Sequence, residues 1–321
     1  MPMMSELLFR YNSEPFSTGC NLYMKYKLNL VLAPTVIITT LIITGCGSSS
    51  SGTSTPTGTD SSLSAEQELG KKLFFDVSLS SEGNQSCADC HSPSSGFADP
   101  VATQAAPVSE GSVTGEFGNR NAPTSSYAAF IPDFSKTSSL TDGGTTSHYQ
   151  GGQFLDGRAL DLIEQAKGPF LNPVEMNNSD AAEVVTKVAS ASYADDFLSV
   201  YGATALDDTD TAYTNIATSI AAFEESAEMS PFSSKFDAWR AGKYSLTASE
   251  DRGLQLFMND AKCANCHTLA LPPESAANDE TIFSDFNYFN IGVPVNPSNP
   301  SSDIDIGLAA NSNIDAADVA I

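Results

Sequence analysis

The sequence predicts a mainly α-helical fold with long loops, in which one helical module occurs twice. Its 321 residues are 41% hydrophobic, which is enough apolar material and length for about two domains with cores of their own. The 22 glycines and 17 prolines favour loops between helices over a coiled coil. The formal charge of −24, from 39 acidic and 15 basic side chains, argues against nucleic acid as a partner, because phosphate binding needs basic stripes.

The first 45 residues have the pattern of a targeting segment. Residues 28–44 carry no charge, follow two lysines and lead to a Gly-Cys pair, a pattern typical of a bacterial lipoprotein signal that is cleaved before an acylated Cys46. The alternative is an uncleaved membrane anchor, although the apolar stretch is short for a span. Residues 46–62 are nearly all Gly, Ser, Thr and Pro and are predicted to form a flexible tether. We therefore expect an exported protein that is attached to a membrane through its N-terminal lipid.

The repeated module begins with a capped helix. Ser64 and Gln67 are predicted to form a capping box in the first copy, and Thr247 and Glu250 repeat the pattern in the second. Two copies of one module indicate an internal duplication. The other residues that match at the same offset are Ala65 with Ala248, Gly70 with Gly253, Leu73 with Leu256 and Phe74 with Phe257.

Three further helices are predicted between the copies from the spacing of apolar residues. The first covers 159–167 and ends before Gly168-Pro169, which is a stop signal. The second covers 180–194 and places three valines on one face, and the third covers 214–227. The stretches without a sustained period, which we expect to be long ordered loops around a buried group, are 98–150 and 270–321.

Each copy of the module ends in a Cys-x-x-Cys-His run. Two thiols at this spacing add to the two vinyl groups of a haem while the adjacent His reaches the iron, which is the c-type attachment signature. The alternatives are a zinc site, whose two cysteine pairs would lie about 15–20 residues apart, and disulfides. Neither explains a His after both pairs. The sequence therefore predicts two covalently bound haem c groups, attached through Cys87, Cys90, Cys263 and Cys266 and ligated by His91 and His267.

Six further segments surround these motifs in a characteristic order: 96–99, 120–124, 154–159, 165–169, 172–176 and 236–242. With them, the chain from Ser62 onward resembles the bacterial dihaem cytochrome c peroxidases, a family that includes MauG-type enzymes. The resemblance implies two cytochrome c-like haem domains. We expect the N-terminal, peroxidatic domain over 63–230 and the C-terminal, electron-transfer domain over 231–321.

The resemblance also implies roles for particular residues. Glu175 would be the acid–base residue that faces the bound peroxide, Gln165 a hydrogen-bonding neighbour, and Pro169 part of the wall on that side. Asn121 matches one ligand of a calcium ion between the family's domains. From the residues alone, Glu175 is also consistent with a carboxylate at a helix N-terminus, and Gln165 with a satisfied core amide.

The chain departs from the family pattern at three places. Leu155 stands where the family usually has Trp, so electron transfer between the haems needs another route. No His lies near Val113, where peroxidases that need prior reduction carry a distal His, so the N-terminal haem is predicted to be five-coordinate or water-bound when oxidised. His148 is either an alternative distal ligand or a solvated loop residue. The chain ends before the motif that gives the C-terminal haem its second ligand, so we expect a truncated second domain.

The predicted function is the reduction of hydrogen peroxide to water. The electrons would come from a periplasmic cytochrome c or cupredoxin and enter at the C-terminal haem, and the acidic surface would speed encounter with a basic donor. We expect the protein in the periplasm of a Gram-negative bacterium, lipid-anchored to the outer membrane, with a homodimer as one expected assembly. The alternatives are MauG-like oxidation of a protein side chain and a dihaem electron-transfer protein without enzymatic activity.

Overall fold

The computed structural model describes residues 62–141, 144–270, 280–301, 303–315 and 318. The predicted signal segment, most of the tether and Cys46 lie outside the described residues. Among the described residues, none of the helices combines the length and the apolar character needed to cross a membrane.

The described residues are mainly helical, as predicted. The helices are α1 (Ala65–Phe74), α2 (Cys87–Cys90), α3 (Leu162–Leu171), α4 (Ala181–Ser190), α5 (Ala194–Tyr201), α6 (Thr209–Glu224), α7 (Lys235–Arg240) and α8 (Ala248–Gln255). Two antiparallel strand pairs accompany them: β1 (Ser135–Thr141) with β2 (Gly144–Gln150), and β3 (Leu269–Ala270) with β4 (Ile282–Phe283).

The core is built around the crossing of α1 and α6. Leu69 and Leu73 of α1 meet Ile216 and Ile220 of α6, and all four side chains are at most 3% exposed. Burying a side chain of this kind stabilises a fold by about 1.5–3 kcal/mol. Helices α3 and α4 pack on α6 as well, so α6 is the central helix of this core.

Both predicted capping boxes are confirmed. The Ser64 hydroxyl accepts the Gln67 N–H at 3.2 Å, and the Gln67 side chain accepts the Ser64 N–H at 2.9 Å. Thr247 and Glu250 make the equivalent pair of bonds at the start of α8, at 3.3 and 2.8 Å. These contacts join residues three positions apart, so the local sequence determines them.

Gly70 allows α1 and α6 to approach closely. A Cβ at Gly70 would lie 1.8 Å from the Ser219 carbonyl oxygen, whereas a Cβ at the equivalent Gly253 would meet nothing within 4 Å. We expect Gly70→Ala to lower the free energy of unfolding by about 3 kcal/mol or more, because the helices must separate. Gly253→Ala is the matched control and should be neutral or stabilising by up to about 1 kcal/mol. Urea unfolding of both variants checks this, and equal effects would contradict it.

The course of α3 corrects the sequence prediction. We predicted a helix over 159–167 that ends before Gly168-Pro169, but α3 runs through this pair. The proline costs one helical hydrogen bond. However, the carbonyls of the last turn find other donors, because the Met176 N–H bonds to Pro169 O at 3.1 Å and the Asn178 N–H bonds to Phe170 O at 2.9 Å. Hydrogen bonds from residues beyond the helix therefore allow α3 to continue through the Gly-Pro pair that was predicted to end it.

Two other helices differ from prediction in their bounds. The predicted helix over 180–194 is divided, because α4 ends at Ser190 and α5 begins at Ala194. The valines of α4 are buried, as the pattern predicted. Helix α6 begins at Thr209, earlier than predicted, because the Asp208 carboxylate accepts the Thr211 N–H at 2.9 Å and caps the helix there.

The hairpin of β1 and β2 lies inside 98–150, where the sequence analysis expected only loop. Its strands pair in register from Ser135 with Gln150 to Thr141 with Gly144. Both strands are rich in Ser and Thr and lack an apolar face, so the alternation that predicts a strand is absent. The Asp-Gly pair between two Thr-rich stretches was the available hairpin signal.

Candidate active site

One cavity brings together the site residues that were predicted for the N-terminal haem. It encloses about 1370 Å³ of empty space, part of it open to solvent. Helices α1, α2, α3 and α6 and four connecting segments form its walls. The predicted residues that line it are Cys87, Cys90, His91, Asn121, Gln165, Pro169 and Glu175.

His91 is held with one ring nitrogen engaged. It follows the short helix α2, whose start is fixed by the Asp89 carboxylate accepting the Ser86 N–H at 2.7 Å. The His91 Nδ1–H donates to the Phe97 carbonyl, with a Nδ1–O distance of 3.2 Å. Burial lowers the pKa of His91, so the ring is neutral, which is the form that binds iron. The backbone of Pro123 is also within hydrogen-bond reach of the ring. With Nδ1 donating to a carbonyl, Nε2 is the nitrogen that would bind a metal.

The two thiols beside His91 face the same cavity and are not joined in a disulfide. Burial raises the pKa of Cys90 to about 11 and also raises the pKa of Cys87. Because both thiols are free, the structure does not show the disulfide alternative. Among the described residues, no three His, Cys, Asp or Glu side chains converge as the ligands of a metal ion would.

Glu175 lies in a turn after α3, not at the start of a helix. Its N–H donates to the Asn172 carbonyl at 3.0 Å, and its carbonyl accepts the Ser112 N–H at 2.7 Å. Gly111 permits this contact, since a Cβ there would lie 2.6 Å from the Val174 carbonyl oxygen. The interpretation of Glu175 as a helix N-terminal carboxylate is therefore wrong: the next helix, α4, begins at Ala181.

Burial raises the pKa of the Glu175 carboxyl, while a hydrogen bond from Asn172 and the charge of Arg158 lower it in part. A carboxyl whose pKa is moved toward neutral pH exchanges protons more readily near that pH. Gln165 and Pro169 are one helical turn apart on α3, and both are half-buried at the cavity wall. The structure thus places the amide, the proline ring and the carboxyl around one space.

An ion-pair cluster at the cavity was not predicted from the sequence. The Asp156 side chain is 3% exposed and binds Arg120 at 2.7 Å and Arg158 at 2.9 Å. Both arginines line the cavity, and the Arg158 guanidinium lies 3.7 Å from the centre of the Phe154 ring. Arg120 also binds Asp305. The segments that carry the arginines were noted, but a sequence gives no sign that distant charges meet around one buried carboxylate.

The cavity fits a haem on three observations. Its two thiols and its imidazole are the kinds of group that attach and ligate haem c. Its two guanidinium groups suit carboxylates such as the haem propionates. Two buried polar atoms at its wall, Ser125 Oγ and Glu224 Oε2, lack hydrogen-bond partners among the described residues, although nearly all buried polar atoms have one. The apolar part of the wall includes Phe74, Ala128, Leu162, Ala166, Met176 and Ile220.

The second motif repeats the arrangement of its histidine. The His267 Nδ1–H donates to the Phe283 carbonyl on β4, with a Nδ1–O distance of 3.1 Å. Cys263 and Cys266 are half-buried and His267 is exposed. Both copies of the module thus leave Nε2 available in the same way.

Three residues of uncertain role in the sequence have clear positions. Leu155 lines the cavity and is 52% exposed. His148 is half-buried on β2, opposite Thr137, and is not among the residues that line the cavity. Asn121 lines the cavity, and its Nδ2 donates to the Pro107 carbonyl at 2.9 Å.

Comparison with known proteins gives a consistent set of relatives. Residues 64–245 match the family described as di-haem cytochrome c peroxidase. Over 230 residues the chain is 40% identical to the methylamine utilization protein MauG of Paracoccus denitrificans, covering 71% of this chain and 57% of that protein. Over 203 residues it is 35% identical to cytochrome c551 peroxidase of Pseudomonas aeruginosa, covering 63% of this chain and 50% of that protein.

A solved structure agrees with these matches. The crystal structure of the diheme peroxidase BthA from Burkholderia thailandensis is similar, with a TM-score of 0.67 and 34% sequence identity, over 76% of this chain and 59% of that one. The chain therefore spans little more than half the length of the relatives that it matches.

Proposed function

Because the chain belongs to the di-haem cytochrome c peroxidase family, we propose that it reduces hydrogen peroxide to water at the cavity around Cys87, Cys90 and His91. The observation that carries this proposal is the meeting, in one cavity, of the His91 imidazole, oriented by a backbone carbonyl at Nδ1, and the Glu175 carboxyl with its raised pKa. Peroxide cleavage requires both a ligand to iron and a group that moves a proton between the two oxygens.

Each residue of the cavity has a distinct task in this reaction. When bound, the haem supplies the iron at which peroxide is reduced. His91 would hold it through Nε2, and the Phe97 carbonyl fixes the ring orientation. Glu175 takes the proton from one peroxide oxygen and returns it to the other, which leaves as water. Gln165 orients the peroxide by hydrogen bonding, and Pro169 helps to exclude bulk water.

The balance of the reaction requires a source of electrons. Each hydrogen peroxide takes up two electrons and two protons to give two waters. We propose that the electrons enter at a second haem c held by Cys263, Cys266 and His267, in the domain over 231–321, and pass to the domain over 63–230. A basic cytochrome c or cupredoxin suits a chain with a net charge of −24.

The remaining features of the proposal concern location and assembly. The signal pattern before Cys46 supports export to the periplasm and attachment to the outer membrane through lipid. A calcium ion at Asn121 and a homodimer belong to the same proposal.

MauG-like oxidation of a protein side chain is the second candidate. It is favoured by the 40% identity to MauG and by the lining of the cavity. Among the described residues that line the cavity, His91 is the one His. A haem there that lacks a second His ligand would be open to peroxide without prior reduction. A dihaem electron-transfer protein is the candidate outside enzymes.

One set of measurements on the purified holoprotein separates these candidates. Pyridine haemochrome analysis should give two thioether-linked haems per chain, and the oxidised spectrum should contain a high-spin band. Titration with peroxide should oxidise two equivalents of reduced donor per peroxide. Two low-spin haems and no peroxide-dependent donor oxidation would indicate an electron-transfer protein, whereas peroxide consumption with a modified protein side chain would indicate MauG-like chemistry.

A further inference from the structure

Glu224 is a buried carboxyl at the cavity wall that the proposed reaction does not use. It is the last residue of α6, is 4% exposed and lines the cavity. Its Oε2 has no hydrogen-bond partner in the part of the chain that the structure describes. A buried carboxylate without a partner costs far more than a buried neutral carboxyl. The site therefore favours a proton on Glu224 unless a positive charge enters the cavity.

The surroundings of Glu224 reinforce this preference. Burial, followed by the negative charge of Glu225, raises the pKa of Glu224 to about 8. The C-terminal end of α6 adds the negative end of the helix dipole. Arg158, which lowers the pKa of Glu175, does not act on Glu224, so the two carboxyls of the cavity lie in different electrostatic settings.

Among the described residues, no positive charge contributes to the pKa of Glu224, and the charged groups packed around α6 are directed elsewhere. On the cavity side, the titratable group that interacts with Glu224 is the Cys87 thiol. Burial is the largest cause of the raised pKa of Cys87, and the charge of Glu224 is the second. Glu68 of α1 is exposed. The other charged side chains on the helices packed against α6 are engaged elsewhere: Lys71 with Glu228, Lys72 with Asp196, Lys167 with Glu164, Lys187 with Glu183, and Glu66 with Tyr201.

We propose that Glu224 couples proton uptake to electron uptake at this site: its carboxyl binds a proton when the haem held by Cys87, Cys90 and His91 is reduced and releases it when that haem is oxidised. This inference rests on the proposed haem site. The electron comes from the donor protein and the proton from solvent, and the O–H bond at Glu224 forms as the electron arrives. The carboxyl stands beside Cys87, where the attached vinyl group would lie, and away from the arginines that suit the propionates.

The physical cause is the change of charge at the iron. An oxidised haem carries one positive charge more than a reduced one and stabilises a nearby carboxylate. Reduction removes that charge, so the proton affinity of Glu224 rises. A reaction that consumes two protons with every two electrons benefits from a buried acid that loads a proton with an electron.

The test measures the midpoint potential of the high-spin haem against pH in the holoprotein, by spectroelectrochemistry. Glu224 has one pKa in the oxidised state and a higher one in the reduced state. In the wild type the midpoint potential should fall as pH rises between these two values. The limiting slope is about 59 mV per pH unit, which corresponds to a tenfold change in a one-electron equilibrium. Glu224→Gln should abolish this slope. Glu225→Gln, at the adjacent exposed position, should keep it. A slope that persists in Glu224→Gln overturns the proposal.

A second readout identifies the group directly. Infrared difference spectra between the two oxidation states should show the carbonyl stretch of a protonated carboxyl in the wild type and in Glu225→Gln, and not in Glu224→Gln. If Glu224→Gln does not retain haem, Glu224→Asp keeps a carboxyl and should restore both the slope and the band; their absence in a haem-loaded Glu224→Asp counts against the proposal. Both readouts are independent of peroxide turnover, so a haem-loaded chain that fails to reduce peroxide still decides the role of Glu224.

Discussion

Glu175→Gln should lower kcat/KM for hydrogen peroxide by about 10²–10⁴-fold, the usual contribution of a positioned acid–base group. The amide has nearly the same shape but cannot take a proton from peroxide. Because the Glu175 carboxyl acts as a base, its activity is lost as pH falls through its pKa, which burial raises above the ordinary value of 4.5. The wild type should therefore lose activity at mildly acidic pH, and the variant should lack this acid limb.

Steady-state rates with a reduced donor, measured across pH, check the Glu175 prediction. Haem content and the oxidised spectrum should not change, since Glu175 holds neither the thioethers nor the proximal ligand. Glu164→Gln is the matched control: Glu164 lies on α3 next to Gln165, pairs with Lys167 and is exposed, so its loss should leave the rate unchanged. A Glu175→Gln variant that turns over at close to the wild-type rate would falsify the assignment.

Asp156→Asn should lower the free energy of unfolding toward the lower end of about 3–5 kcal/mol. Asp156 pairs with both Arg120 and Arg158, and its side chain is 3% exposed. Removing its charge leaves Arg120, with a side chain only 16% exposed, dependent on Asp305 alone. The loss is moderated because Arg158 is 44% exposed and can turn to solvent.

Urea unfolding of the variant and of a surface control measures the Asp156 effect. Glu228→Gln breaks the pair with Lys71, whose side chain is 39% exposed, and should cost at most about 1 kcal/mol. Equal effects of the two substitutions would show that Asp156 contributes no more than a surface ion pair. The comparison uses chains of identical length and haem content.

The sequence predicted best those features that neighbouring residues determine. The capping boxes at Ser64 and Thr247 depend on bonds across three residues, and both formed as predicted. The helix over 159–167 was predicted to stop too early, because the donors that extend α3 come from Met176 and Asn178, beyond the window that a local rule examines. The hairpin of β1 and β2 was missed because both of its strands are polar.

For the site residues, too, local features were predictable from the sequence and long-range ones were not. Spacing alone predicted Cys87, Cys90 and His91 as attachment and ligand groups, and the structure places all three at one cavity. Placing Glu175 with them required a family resemblance, because the turn that carries it is brought to the cavity by packing against Gly111. Asp156 and Glu224 escaped notice, since their importance comes from burial, which composition and periodicity do not report.

The anchoring of both histidines by backbone carbonyls has an evolutionary consequence. The oxygen atoms that receive the His91 and His267 Nδ1–H groups belong to the main chain at Phe97 and Phe283. Every amino acid carries the same main-chain acceptor, so the side chains at those two positions do not hold the imidazoles directly. They act through the path of the backbone: Phe97 has a left-handed φ of 58°, which excludes proline and disfavours β-branched residues. Constraint should therefore fall on the backbone path and the lengths of the two loops.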